Sequence, residues 1–255
     1  MASATDPTTE DGLLGGKLTL LQPLRGHRFG HDAVLLAAAT PARAGEQAIE
    51  LGAGVGAAGL ALAHRVEALT VTLVELDPNL VALARDNAAR NSLAERVRAV
   101  CLDVTAPVAQ FAQAGLAPDS ADHVLMNPPF NPPDNPSPDR ARQLARAAAP
   151  GALVQWIDTA ARLLRPQGGL TLIWRADGLA DVLAALRPVF GAIAIVPVYP
   201  KPGAAAIRVL VSAAKISNAP LSLLPGLVLA DGDDKPSAQA QAILRDGKAL
   251  VLGAR

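Results

Sequence analysis

The sequence predicts an open α/β sheet with helices on both faces, and three observations predict it. Short apolar strands alternate with helix-patterned segments from residue 47 to residue 186. Such alternation calls for parallel pairing through right-handed crossovers. The last two strand segments have no helix between them and most simply pair antiparallel, which gives seven strands with one reversed. A glycine-rich turn joins the first of these strands to its helix.

Taken in order, residues 1–16 read as a flexible tail and 17–255 as one domain with an amino-terminal hairpin and helix extension. Leu18–Leu21 is a strand and residues 25–30 a turn or hairpin. Asp32 has the side chain of an N-cap for a helix through Ala39. The alternation then runs strand Gln47–Leu51, helix Gly56–Arg65, strand Leu69–Glu75, helix Asn79–Asn91 and strand Val97–Leu102. A weaker helix at Ala106–Ala114 precedes a buried strand at His123–Met126. Residues 131–150 are too polar and proline-rich for an element, and a loop of that length is usually functional. Helix Leu153–Leu164, strand Leu170–Arg175 and helix Ala180–Leu186 follow, then the strand pair Ile193–Val198 and Ile207–Ala213. Residues 214–255 show no domain of their own.

The 255 residues suit one α/β domain, and a hydrophobic content of 51% excludes wholesale disorder. Twenty-three basic residues balance 23 acidic ones, which argues against a large nucleic-acid footprint but leaves room for a local patch. Cys101 is the sole cysteine, so an internal disulfide and a cysteine-rich metal site are excluded, and no metal is expected. Residues 1–11 are polar and acidic, unlike a signal or transit peptide. No apolar run reaches the roughly 18 residues that a membrane-spanning helix needs, so a soluble cytoplasmic protein is expected.

Glu50-Leu51-Gly52-Ala53-Gly54-Val55-Gly56 follows the first strand of the alternation and opens a helix. Glycines there let a ligand approach the backbone, and the helix start offers unpaired N–H groups. Glu75 ends the next strand, where a carboxylate can accept from both hydroxyls of a ribose. Asp103 ends the third, within reach of an adenine amino group. Each feature alone has an ordinary reading: the glycines as a plain turn, Glu75 as a solvated charge. Gly54-Val55-Gly56-Ala57-Ala58-Gly59 also fits the dinucleotide pattern. The acidic residue at position 50 favours S-adenosylmethionine over NAD, because in that cofactor class it lies near the positively charged amino-acid end.

Asn127-Pro128-Pro129-Phe130 ends the fourth strand, where open α/β sheets bind their ligands. An exocyclic amino group on a base is a poor nucleophile, since its lone pair is delocalised into the ring. Acceptors aimed at its two N–H bonds favour the pyramidal nitrogen that develops as it attacks. Asn127 can supply a side-chain oxygen and Pro128 a main-chain carbonyl. Pro129 stiffens the turn, and Phe130 offers a face for a base. In isolation the same four residues also read as a proline turn after a buried strand.

Together, Glu50–Gly56, Glu75, Asp103 and Asn127–Phe130 resemble the amino-group methyltransferases that carry an Asn/Asp-Pro-Pro-aromatic motif. The segment from Gln22 to Ala37, with Arg25-Gly26-His27-Arg28-Phe29-Gly30-His31-Asp32 at its centre, is similar to the corresponding part of the bacterial tRNA(Val) adenine-N6 methyltransferases. Residues 201–211 and 227–229 are similar to the end strands of that family. The resemblance covers residues 17–255 and implies a Rossmann-like, class I methyltransferase sheet. It implies S-adenosylmethionine as cofactor, held by Glu50, Gly52, Gly54, Gly56, Glu75, Leu76, Asp103 and Asn127, with Arg28 and Phe29 closing the pocket. It implies transfer to adenine N6 in RNA, beside the anticodon of a tRNA, with Arg25, Arg28, Arg140, Arg142, Arg146 and Lys201 as phosphate contacts. Guanine N2 of ribosomal RNA, a protein glutamine side chain, and a non-catalytic cofactor- or RNA-binding module are the competing readings. His27, His31, His123, Cys101, Trp156 and Trp174 read as packing or turn residues, with Cys101 a small buried hydrophobe.

Overall fold

The computed structural model describes residues 7–25, 28–129, 151–233, 235–250 and 252. The loop at 131–150, with Arg140, Arg142 and Arg146, lies outside them, as do His27 and Phe130. The chain opens with a hairpin of β1 (Thr8–Leu13) and β2 (Leu18–Pro23), followed by α1 (His31–Ala39). The alternation then gives β3 (Gln47–Leu51), α2 (Ala57–Arg65), β4 (Thr70–Glu75), α3 (Pro78–Arg90), β5 (Val97–Cys101), α4 (Val108–Gln113) and β6 (Ala121–Met126). Next come α5 (Ala152–Leu163), β7 (Leu164–Arg175), α6 (Leu179–Leu186), β8 (Phe190–Tyr199) and β9 (Arg208–Lys215). Two short strands, β10 (Ser222–Leu223) and β11 (Leu227–Val228), and α7 (Ala238–Leu244) complete it.

The main sheet runs β10-β8-β9-β7-β6-β3-β4-β5, and β11 also pairs with β8. Strands β3 to β7 pair in parallel, and β9 is antiparallel to both β7 and β8. The seven strands expected, one of them reversed, are therefore present, and β10 and β11 extend them to nine. Each face of the sheet carries its own core. One is built on α1 and α2 with Leu60, Leu62, Leu73 and Leu125, the other on α5 and α6 with Leu51, Ile157, Leu163 and Leu172. Each fully buried leucine contributes about 1.5–3 kcal/mol relative to exposure.

Local sequence explains the helix positions. In α3, Pro78 occupies the first turn and Asp77 caps it, its carboxylate accepting from the Asn79 amide at 2.8 Å. Residues Ala57–Ala63 of α2 are buried throughout, because small side chains let that helix lie close on the sheet. Gly59 marks the closest approach, since a Cβ there would meet a Leu73 methyl at 2.4 Å and a Glu50 oxygen at 2.7 Å.

Three expectations are corrected. Residues 8–16, assigned to the tail, form β1 and a 3-10 turn. Thr8-Thr9-Glu10-Asp11 has no apolar alternation, and only its partner β2 makes it a strand. Helix α1 starts two residues early, with Gly30 as its N-cap, and Asp32 instead pairs with Arg208 at 2.9 Å. Cys101 does end a strand, but it is exposed rather than buried. Near the end of the described chain, the Leu250 amide donates to the Ala38 carbonyl, and the Lys17 ammonium donates to the Asp246 carbonyl.

Gly59→Ala is expected to cost about 1–3 kcal/mol, because the added methyl must displace Leu73 or the Glu50 carboxyl. The check is urea unfolding, where the midpoint should fall at an unchanged slope.

Candidate active site

Sheet register assembles the site. Leu51 of β3 pairs with Met126 of β6 on one side and Val74 of β4 on the other, so Gly52 leaves the sheet between Asn127 and Glu75. Glu75 pairs in turn with Cys101 of β5, which brings Asp103 to the end of the same row. The row crosses the carboxyl ends of four neighbouring strands where the winding reverses about β3, the place at which open α/β sheets bind ligands.

The loop after β3 is held on several sides. Glu75 Oε2 accepts from the Gly54 amide at 2.8 Å, and Oε1 accepts from the Leu76 and Asp77 amides at 2.8 and 2.9 Å. Gly52 has φ +68°, and a Cβ there would lie 2.4 Å from the Trp156 ring. Gly54 has φ +56°, with no atom within 4 Å of where a Cβ would be. Gly56 is the N-cap of α2. One face of the loop is thus braced and the backbone at Gly54 is open. Asp103 Oδ1 is fixed by the Thr105 amide and hydroxyl, both at 2.8 Å.

Glu50 sits behind the loop. It is 5% exposed, and Oε2 accepts from the Gly59 amide at 2.7 Å. Burial pushes its carboxyl up from 4.5 to about 8; the Gly59 amide works against that and the Glu75 charge adds to it. Asn127 follows β6 with Pro128 buried beside it, and its Oδ1 is buried with no hydrogen-bond partner among the described residues. Buried acceptors are normally satisfied, so this oxygen stands out at the strand end beside the glycine loop.

Arg28 is engaged with Asp11 at 2.8 Å, and the Phe29 amide donates to Gln22 Oε1 at 3.1 Å. Arg25 and Lys201 are exposed. His123 lies near the start of β6, away from the row, bonded to Glu46 at 2.9 Å. Trp156 is buried as expected, but its contact with Gly52 makes it part of the site. Asn87, fully buried on α3, donates to the Val55 carbonyl and was passed over in the sequence. Its helical spacing with Val81, Ala84 and Ala88 is the signal that could have found it: a polar residue on a buried face.

This sheet order, with its reversed strand and carboxylate row at the switch point, defines the class I methyltransferase architecture. The chain belongs to the methyltransferase small domain family, whose model matches residues 28–198. A chain from Agrobacterium tumefaciens described as a predicted O-methyltransferase is 30% identical, with a TM-score of 0.73, over 86% of this chain and 98% of that one. A Tolumonas auensis protein named tRNA1(Val) (adenine(37)-N6)-methyltransferase is 32% identical over 147 residues, 57% of this chain and 58% of that protein. A Porphyromonas gingivalis protein of the same name is 33% identical over 163 residues, 61% of each. This chain therefore spans about three fifths of the length of these curated relatives. A Dickeya chrysanthemi protein, again so named, matches over 86% of this chain and 87% of its own length at 29% identity. Family and fold imply S-adenosylmethionine as methyl donor. The residues present fit it, with an open backbone at Gly54 next to Glu75 and with Asp103 fixed at the end of the same row. No helix among the described residues is long and apolar enough to cross a membrane, and no cluster among them could hold a metal ion.

Glu50 yields a pH prediction. The folded protein keeps a proton that the unfolded chain releases near pH 4.5, so Glu50 lowers stability progressively as pH rises from about 4.5 to about 8. Glutamine still accepts from Gly59 and carries no such penalty. In thermal melts, Glu50→Gln should exceed the native protein at pH 8–9, with the margin shrinking toward pH 5. A margin independent of pH would contradict this account.

Proposed function

We propose that the protein transfers a methyl group from S-adenosylmethionine to the exocyclic N6 amino group of adenine in RNA, in a tRNA beside its anticodon, in the cytoplasm. The observation that carries this reading is the orphaned, buried Oδ1 of Asn127 at the carboxyl end of β6, adjacent in register to the glycine loop. The names borne by the Tolumonas, Porphyromonas and Dickeya relatives support the choice of acceptor.

When bound, S-adenosylmethionine supplies an electrophilic methyl group on a sulfonium. Asn127 Oδ1 accepts one N–H of the target amine and the Pro128 carbonyl the other, which localises the nitrogen lone pair toward that methyl. Phe130 stacks on the extruded base. Glu75 accepts from the ribose hydroxyls and Asp103 from the adenine amino group of the cofactor, while Gly52, Gly54 and Gly56 let its amino-acid end pass along the loop. Leu76 flanks its adenosine, Glu50 braces the start of α2 behind the loop through the Gly59 amide, and Arg28 and Phe29 close over the cofactor. Arg25, Arg140, Arg142, Arg146 and Lys201 contact phosphates.

The amide of Asn127 cannot take a proton. It suits an amine, which releases its proton to solvent after transfer, and not a hydroxyl, which must lose its proton as it attacks. The Agrobacterium description therefore does not set the acceptor here. The zero net charge favours a second reading, a protein glutamine side chain as acceptor.

Labelled S-adenosylmethionine incubated with total RNA and, separately, with protein fractions distinguishes the two. N6-methyladenosine in tRNA is expected. Asn127→Ala should reduce transfer by about 100-fold or more and change the cofactor dissociation constant by less than about twofold. Label in protein alone would move the acceptor to glutamine, and undiminished transfer by the variant would remove Asn127 from the site.

A further inference from the structure

We infer that Asn87 is a positioning residue that ties the amino-terminal hairpin to the glycine loop, so that the hairpin sets the affinity for the cofactor. This rests on the reading of residues 52–56 as the cofactor loop.

The tie is built from two asparagines one turn apart, Asn87 on α3 and Asn91 at its C-cap. Asn87 Oδ1 accepts from the Leu21 amide at 2.7 Å, and its Nδ2 donates to the Leu21 carbonyl at 2.9 Å. Asn91 does the same with Thr19, at 2.9 Å in both directions. Two side-chain amides thus pair with β2 as a neighbouring strand would, at residues i and i+2. Asn87 Nδ2 also donates to the Val55 carbonyl at 3.1 Å, whereas the further bond of Asn91 Nδ2 runs back to the Asn87 carbonyl at 2.7 Å and does not reach the loop. It is fully buried, so no water can replace those bonds.

The hairpin also carries the segment before α1. Gln22 of β2, 2% exposed, accepts from the Phe29 amide and donates to Asp11 at 2.9 Å, and Asp11 holds Arg28. A continuous hydrogen-bonded path therefore runs from Arg28 and Phe29 through β2 and Asn87 to Val55. Val55 lies one residue from Gly54, whose amide Glu75 holds from the opposite side. With Asn87 removed, the loop keeps its Glu75 anchor and loses its link to the hairpin.

The test compares Asn87→Leu and Asn91→Leu. Each cuts two bonds to β2, but only the first cuts the bond to Val55. S-adenosylhomocysteine binding is measured by calorimetry beside melting temperature. The emission of Trp156, the indole against Gly52, is followed in a Trp174→Phe background where it is the sole tryptophan. Both variants should melt lower. Asn87→Leu alone should weaken binding about tenfold and shift the Trp156 emission. Asn87→Ser, which also removes the amide, carries the same expectation if the leucine variant does not fold. Equal loss of binding in the Asn87 and Asn91 variants, or unchanged binding in both, overturns the inference. Failure of the unmutated protein to bind S-adenosylhomocysteine overturns the cofactor reading itself, and the inference with it.

Discussion

Everything at the carboxyl edge of the sheet depends on the parallel register about β3. Leu51 is paired on both sides, with Met126 and with Val74, and those pairings decide which residues emerge together. A slip of one residue would turn Glu75 to the other face and move Asn127 out of line with Gly52. The register is itself secured by burial on both faces, since residues such as Leu73, Val74, Val124 and Leu125 leave no solvent-facing alternative for β4 or β6. Packing and chemistry are therefore one constraint: the same leucines that fill the two cores set the spacing of the polar row.

The glycine loop shows how little freedom that row retains. Its amides answer to Glu75, its Gly52 to Trp156, its Val55 carbonyl to Asn87 and the helix behind it to Glu50. A carboxyl buried as deeply as Glu50 costs stability unless it stays protonated, and a neutral acid is what the interior favours. The open backbone at Gly54 is thus surrounded by groups already committed to the protein, which leaves the loop preorganised.

The alternation was legible because each strand and helix carries its own period, and the row was legible because strand ends follow from strand positions. Gly52, Glu75, Asp103 and Asn127 could be placed together from spacing alone. What stayed hidden depends on partners distant in sequence. β1 has no pattern of its own and exists through β2. Asn87 reads as one more polar helix residue until Leu21 and Val55, 66 and 32 residues away, are beside it. Asp32 looked like a cap because caps are local, whereas its partner Arg208 lies 176 residues on. Trp156 was correctly placed in a core, but only the tertiary structure shows that its neighbour there is Gly52.

The hydrogen bond from Lys17 to the Asp246 carbonyl spans 229 residues, and the bonds from β2 to α3 span 66 to 72. A hairpin synthesised before both of its partners is thus among the last pieces to be fixed. It can pair with itself at once, but it must wait for α3 to be synthesised before docking and for α7 before its turn is held. Contacts of such high sequence separation slow folding and lengthen the time that strand edges stay uncovered. The polar composition of β1, Thr-Thr-Glu-Asp-Gly-Leu, suits an edge that must stay soluble through that interval.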